Sequence, residues 1–211
     1  MRTQPLDARE RAELCALLLE VGPDAPTLCE GWTTADLVAH LVVREREPRA
    51  ALGIVSERFA PRLRQRMDAR KAAGFEPLVE RLRRGAPLVP WRLPLIRAVL
   101  NFNEYFVHHE DVRRANGRSR RTDRPDLDAA LWRQLGATAR GLTRRVHGAG
   151  LVLRTPDGRQ HVASNRQPQA VLTGPPSELA LYLTGRTGPA EVDLTGPSDA
   201  IAAVEAARVG V

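Results

Sequence analysis

Several residue types are scarce in this sequence, and each scarcity excludes a class of protein. Only Cys15 and Cys29 carry thiols, which are too few for a disulfide framework and lack the paired spacing of a thiolate zinc site. A metal site would therefore use histidine and carboxylate ligands. No apolar run approaches the roughly 20 residues that cross a bilayer, and the first residues lack the apolar core of a secretory signal. These absences predict a cytoplasmic protein without a membrane partner.

Lysine is also scarce, although the chain is basic. Lys71 is the only lysine among 211 residues, and the net charge is +7, so arginines spread along most of the chain carry the positive charge. Arginine supplies phosphate contacts in nucleic-acid binding, but a dispersed distribution is more typical of a solvated basic surface. We therefore expect a globular protein that does not have nucleic acid as a partner.

Helical patterns dominate the first two thirds of the chain. Thr33 and Asp36 have the spacing of a capping box and predict the start of a helix that contains His40. The four principal helices are predicted to begin at Asp7, Thr33, Pro94 and Asp126, and the first, third and fourth to extend to Val21, Asn116 and Val146. Between the second and third, prolines and glycines predict a long connection of shorter helical pieces over 49–84.

The composition changes near Gly148. Two β-like runs, LVLRT and QHVAS, flank the turn sequence Pro156-Asp157-Gly158 and predict a hairpin. Further short strands and helices are predicted after it. The sequence thus predicts a mainly α fold, with a four-helix bundle over 1–147 and a small C-terminal α+β domain over 148–211.

One pair of side chains on the third helix has the spacing of metal ligands. Glu104 and His108 are four residues apart and share a helix face, whereas His109 is rotated by about 100°. A histidine and a carboxylate suit Zn²⁺ and its neighbours, and His40, polar among apolar neighbours on another helix, is the candidate third ligand. On spacing alone, such a pair is more often a simple ionic or hydrogen-bonded contact than a metal site.

Two segments carry a resemblance to a known family. Residues 29–40, CEGWTTADLVAH, and 104–117, EYFVHHEDVRRANG, are similar to the two signatures of the DinB-like, mycothiol-dependent maleylpyruvate isomerase family. The resemblance implies a DinB-like bundle, the metal ligands His40, Glu104 and His108, and mycothiol as a thiol cofactor. His109 and Glu110 stand where the family usually has a small residue and an aromatic one, and in this the chain resembles a subgroup of uncharacterised metal-binding members.

The remaining residues near these signatures have two interpretations each. Asp111 could act in catalysis by orienting a ligand histidine or handling protons, or it could pair with Arg114. Cys29 could be a redox residue or a ligand, although free cysteines usually pack in cores.

Together these features predict a metal-dependent enzyme. We expect a divalent metal, zinc foremost with nickel, iron or manganese as alternatives, and a mycothiol-dependent transferase or isomerase acting on a small molecule. The alternatives are a metal-dependent hydrolase and a non-catalytic metal-binding or regulatory protein. The chain is expected to be a monomer or homodimer.

Overall fold

The computed structural model describes residues 4–54, 56–85, 101–207 and 209. The chain divides into two compact units, 1–120 and 121–211. The described part of the first unit consists of helices and loops, and the second combines helices with a sheet. The predicted fold class, mainly α with a C-terminal α+β part, is confirmed.

The first unit is built from helices of very different lengths. The α-helices of its described part are α1 (Leu6–Val21), α2 (Thr34–Arg46), α3 (Pro48–Ala51), α4 (Ala60–Lys71), α5 (Phe75–Arg83) and α6 (Phe102–Ala115). The α1 helix packs against α6 and α5, while α2 packs against α4 and α5. The third predicted helix corresponds to α6, which begins at Phe102. Residues 94–100 of that prediction lie outside the described residues.

The start of α2 is held as its sequence predicts. The Thr33 hydroxyl accepts from the backbone N–H of Asp36 at 3.4 Å, and the Asp36 carboxylate accepts from the backbone N–H of Thr33 at 3.1 Å. Lys71 of α4 adds an ion pair to Asp36 at 2.7 Å. The α1 helix differs from its prediction, because Pro5 precedes it and Asp7 lies in its first turn, where a carboxylate faces the positive end of the helix dipole.

The stretch predicted as a connection contributes to the core of the first unit. Leu63 and Met67 of α4 and Leu78 and Leu82 of α5 are buried with the apolar faces of α1 and α2. Residues 49–84 thus complete the helical packing as well as linking its members.

The second unit begins with a helix. Its elements are α7 (Pro125–Leu142), β1 (Gly150–Arg154), β2 (Gln160–Ser164), β3 (Gln169–Thr173), α8 (Pro176–Leu183), β4 (Asp193–Thr195) and α9 (Ser198–Ala206). The strand order is β2-β1-β3-β4. The predicted hairpin is present as the antiparallel β1–β2 pair, and β1 also pairs in parallel with β3.

The helix α7 lies in the second unit, although the sequence had assigned residues 126–146 to the bundle and the boundary to 147/148. Its buried side chains include Leu131, Trp132 and Leu135, and it packs against α8 and β2. The helix α7 belongs to the second unit because its apolar face packs on α8 and β2. The periodicity of α7 predicts an apolar face but does not identify the surface that covers it. Among the described residues, no helix is both long and apolar enough to cross a membrane.

Two neighbouring leucines on α1 test the packing of the first unit. Leu18 is fully buried, whereas Leu19 is 42% exposed. We expect Leu18→Ala to lower the free energy of unfolding by about 2–5 kcal/mol, because it removes methyl groups and leaves a cavity. Leu19→Ala should change it by less than about 0.5 kcal/mol. Urea denaturation followed by circular dichroism measures both, and equal losses in the two variants would contradict this packing.

Candidate metal centre

Three side chains predicted as metal ligands come together in the first unit. His40 lies on α2, and Glu104 and His108 lie one turn apart on α6. One candidate ligand atom from each of the three lies within 4.8 Å of the others. The tertiary structure thus brings the ligand from α2 to the pair on α6.

His40 is held in an apolar and aromatic environment. It is 6% exposed, and its ring centroid lies 5.0 Å from that of Trp32 and 5.5 Å from that of His108. Burial lowers the pKa of His40 to about 3, helped by the neighbouring charges of His108 and Arg44. Its buried Nδ1 atom has no hydrogen-bond partner in the described part of the chain. His40 is therefore a neutral imidazole, the form that binds metals.

Glu104 forms the more open side of the group. One of its carboxylate oxygens lies 3.2 Å from Nε of Arg44 and 3.7 Å from Nε2 of His108. Its side chain is 33% exposed, whereas those of Arg44 and His108 are about 10% exposed or less. Glu104 is therefore the member of the group that is most accessible to solvent.

His108 is oriented by a buried carboxylate. Its Nδ1 atom lies 2.8 Å from Oδ2 of Asp111, which is fully buried. Burial lowers the pKa of His108, but the hydrogen bonds to Asp111 and Cys29 and the charges of Asp111 and Glu104 outweigh it and raise the pKa to about 9. With Nδ1 engaged, Nε2 is the nitrogen that faces Glu104. A carboxylate behind a histidine is the arrangement that orients metal-binding imidazoles.

Cys29 extends this hydrogen-bonded chain. Its Sγ donates to Oδ2 of Asp111 at 3.3 Å and lies 3.9 Å from Nδ1 of His108. The backbone N–H of Leu28 also donates to the carbonyl of Asp111 at 3.2 Å. Cys29, His108 and Asp111 form a second group of candidate metal donors, but the 2.8 Å separation within it is typical of a hydrogen bond.

A third group of candidate donors lies on the other side of α6. It contains Glu10 and Glu13 of α1 together with His109, and Nδ1 of His109 lies 3.2 Å from a carboxylate oxygen of Glu10. The adjacent histidines of α6 thus face different helices. This follows from their rotation of about 100° on the helix.

The two acidic residues after His109 differ in their contacts. The Glu110 carboxylate pairs with Arg113 at 3.2 Å and with Arg114 at 2.8 Å. Asp111 contacts His108. This contact supports the interpretation in which Asp111 orients the histidine, and Glu110 is in contact with both arginines.

Three polar residues around the group were not singled out by the sequence. Arg44 lies one turn after His40 and donates to Asn101 at 3.2 Å in addition to its contact with Glu104. Glu45 and Tyr105 are buried and hydrogen-bonded to each other, and burial raises the pKa of both. Position is the one sequence signal for these residues, because Arg44 lies four residues after His40, Glu45 directly follows Arg44, and Tyr105 directly follows Glu104.

The separation of the donors in the first group is close to that of two ligands on one ion. Nitrogen and oxygen ligands bonded at about 2.0–2.1 Å in a tetrahedral arrangement lie about 3.3 Å apart, and Nε2 of His108 lies 3.7 Å from the Glu104 oxygen. The orphaned Nδ1 of His40 also indicates a missing partner, since buried polar atoms are normally satisfied. Of the three groups, this one fits a divalent metal best.

Comparison with protein families concerns the part of the chain that contains His40. Residues 7–94 match the family model described as "Mycothiol maleylpyruvate isomerase N-terminal domain". These residues belong to that family of domains. The resemblance predicted from the two motifs is confirmed, while membership of the metal-binding subgroup stays a prediction. The match ends before Glu104 and His108.

Two solved structures share the fold over nearly the whole chain. One is a crystal structure of the mycothiol-dependent maleylpyruvate isomerase, with a TM-score of 0.62 and 22% identity. The other is a variant of that isomerase with one histidine replaced by alanine, with a TM-score of 0.60 and 21% identity. Each comparison covers 93% of this chain and 96% of the other. A search of the curated proteins gave no match.

The two cysteines provide a test of the geometry in the first unit. Cys15 is fully buried, and burial raises its pKa to about 12, so at pH 8 only about one Cys15 in 10⁴ would be a thiolate. Cys29 is half-buried. We expect iodoacetamide at pH 8 to modify Cys29 much faster than Cys15, as measured by peptide mass spectrometry. The difference should vanish in urea, and equal rates in the folded protein would be inconsistent with this arrangement.

Proposed function

We propose that this chain is a divalent-metal-binding, mycothiol-dependent isomerase or transferase that acts on a small molecule. The observation that carries the proposal is the convergence of His40, Glu104 and His108 from two helices. Their ligand atoms lie within 4.8 Å of one another. The confirmed family of residues 7–94 supports the same conclusion.

The three residues would hold the metal through two imidazole nitrogens and one carboxylate oxygen. This donor set suits zinc first, with nickel, iron and manganese as alternatives. Three protein ligands leave coordination positions for other molecules, as in catalytic rather than structural sites. A bound metal would lower the pKa of a thiol beside it, and the thiolate is the reactive form.

The chain's own residues would prepare these donors. Asp111 accepts a hydrogen bond from Nδ1 of His108 and so directs Nε2 to the ligand position, which makes it a positioning residue. Arg44 holds the Glu104 carboxylate at 3.2 Å and partly neutralises its charge. Burial keeps the imidazole of His40 neutral. A metal could therefore bind it without displacing a proton.

The names of the two structural relatives guide the choice of cofactor and substrate. Both are mycothiol-dependent maleylpyruvate isomerases, so we propose mycothiol as the thiol and maleylpyruvate as the first substrate to test. Transfer of the thiol to another small electrophile is the alternative reaction within the same proposal.

The proposed metal site predicts the metal content of the protein and of its variants. Purified wild-type protein is expected to bind one divalent ion, measured by mass spectrometry of the elements after dialysis. His40→Ala, Glu104→Gln and His108→Ala should each lower metal affinity at least about 100-fold, because one of three ligands is lost. Asp111→Asn keeps all three ligands and should lower affinity by roughly 10–100-fold.

Two variants serve as controls for this measurement. Cys29→Ser and His109→Gln alter the other two donor groups and are expected to retain one ion per chain. Loss of the metal in either control, together with its retention in His40→Ala, would contradict the proposed site and indicate that one of the other two donor groups binds the ion. Circular dichroism of every variant separates loss of the ligand from loss of the fold.

The proposed thiol dependence predicts that mycothiol changes the spectrum of the bound metal. In Co²⁺-loaded protein, mycothiol is expected to change the visible absorption spectrum and to support isomerisation of maleylpyruvate. Both effects should be absent in His40→Ala. A Co²⁺ spectrum that is insensitive to mycothiol would reject the thiol-dependent reaction. It would favour the metal-dependent hydrolase or the non-catalytic binding protein.

A further inference from the structure

The second unit has a basic cleft that the proposed metal centre does not use. It lies between the C-terminal end of α7 and the strand β2, and its volume is about 520 Å³. Small-molecule sites have volumes of about 300–1,000 Å³. The cleft is lined by Arg140, Thr143, Arg144 and residues 162–166.

Three arginines give the cleft its charge, and they come from both of its sides. Arg140 lies in the last turn of α7, Arg144 lies two residues beyond its end, and Arg166 follows β2. All three are exposed, and no acidic side chain lines the cleft within the part of the chain that the structure describes. Positive charge is therefore concentrated there without a carboxylate among the lining side chains.

The guanidinium groups keep most of their donors available. Within the described part of the chain, Arg140 and Arg144 make no side-chain hydrogen bond or ion pair, and Arg166 donates only to the carbonyl of Val146, at 2.7 Å. That bond anchors Arg166 and leaves its other N–H groups unused. Asn165 adds an amide to the same wall.

A simpler explanation accounts for only part of this arrangement. Arginines near the C-terminus of a helix interact favourably with its dipole, which would explain Arg140 and Arg144. Arg166 belongs to no helix and approaches from the sheet. The strand β2 is also at the edge of the sheet, so alternate backbone N–H groups on its outer side have no strand to pair with.

We propose that this cleft binds a small polyanion, a molecule with at least two anionic oxygens such as a phosphate ester or a dicarboxylate. Forked guanidinium groups recognise such oxygens in pairs. The confined volume favours a small molecule over nucleic acid, which is bound through phosphate contacts spread along an extended surface. This inference is independent of the metal and of the thiol-dependent reaction.

The test uses the full chain and two probes, pyrophosphate and maleate. Isothermal titration calorimetry is expected to detect binding of at least one probe, and amide signals of residues 140–144 and 162–166 should shift in NMR spectra during the titration. Arg140→Gln combined with Arg144→Gln should weaken this binding by about tenfold or more, because charge-assisted hydrogen bonds are lost. Stronger binding of pyrophosphate would indicate a phosphate ligand, and stronger binding of maleate a dicarboxylate.

Arg145 supplies the matched control. It directly follows Arg144 and is exposed, but it does not line the cleft, so Arg145→Gln should leave probe affinity within about twofold of wild type. Absence of binding by either probe, or equal weakening in Arg145→Gln and the double variant, would overturn the proposal. So would a DNA oligonucleotide that binds more tightly than both probes and depends equally on Arg145.

Discussion

Buried ionisable side chains in the first unit must find partners inside the protein, and much of the structure around the candidate centre follows from this constraint. Glu10, Glu45, His108 and Asp111 are all less than 10% exposed. Removing such groups from water is costly unless hydrogen bonds or opposite charges replace the lost hydration. The helices α1, α2 and α6 supply those replacements for one another. Tyr105 bonds Glu45, His109 contacts Glu10, and Asp111 contacts His108.

The two histidines of the centre show how the same burial has opposite results. Among the described residues, no carboxylate is hydrogen-bonded to Nδ1 of His40, and burial lowers its pKa to about 3. His108 is equally buried, but the hydrogen bond to Asp111 and the nearby charges overcome the loss of hydration and raise its pKa to about 9. One imidazole is thus neutral, and the other has its Nδ1 committed to a carboxylate. At neutral pH His40 therefore offers a free nitrogen, whereas His108 is protonated and a metal bound there would have to displace its Nε2 proton.

Arg44 and two arginines of the basic cleft are under different constraints. In the first unit, Arg44 is nearly buried, and its charge is matched by Glu104. In the second unit, Arg140 and Arg144 are exposed, so water can solvate them and the fold does not require a partner. A cluster of solvated charges can therefore persist without an internal counterion and remain available to a ligand.

The sequence by itself determined the elements and the candidate ligands. Local signals were sufficient for the capping box at Thr33, the hairpin around Pro156 and the shared face of Glu104 and His108, because each depends on residues close in the chain. The two motifs added His40 and the family of residues 7–94. Only the tertiary structure decided which elements share a core. It packed α4 and α5 into the first unit and placed α7 with the sheet, since an apolar helix face does not specify its partner. It also joined Cys29, Asp111 and His108 across about 80 residues of chain, because hydrogen bonds between buried groups form only where packing brings their atoms together.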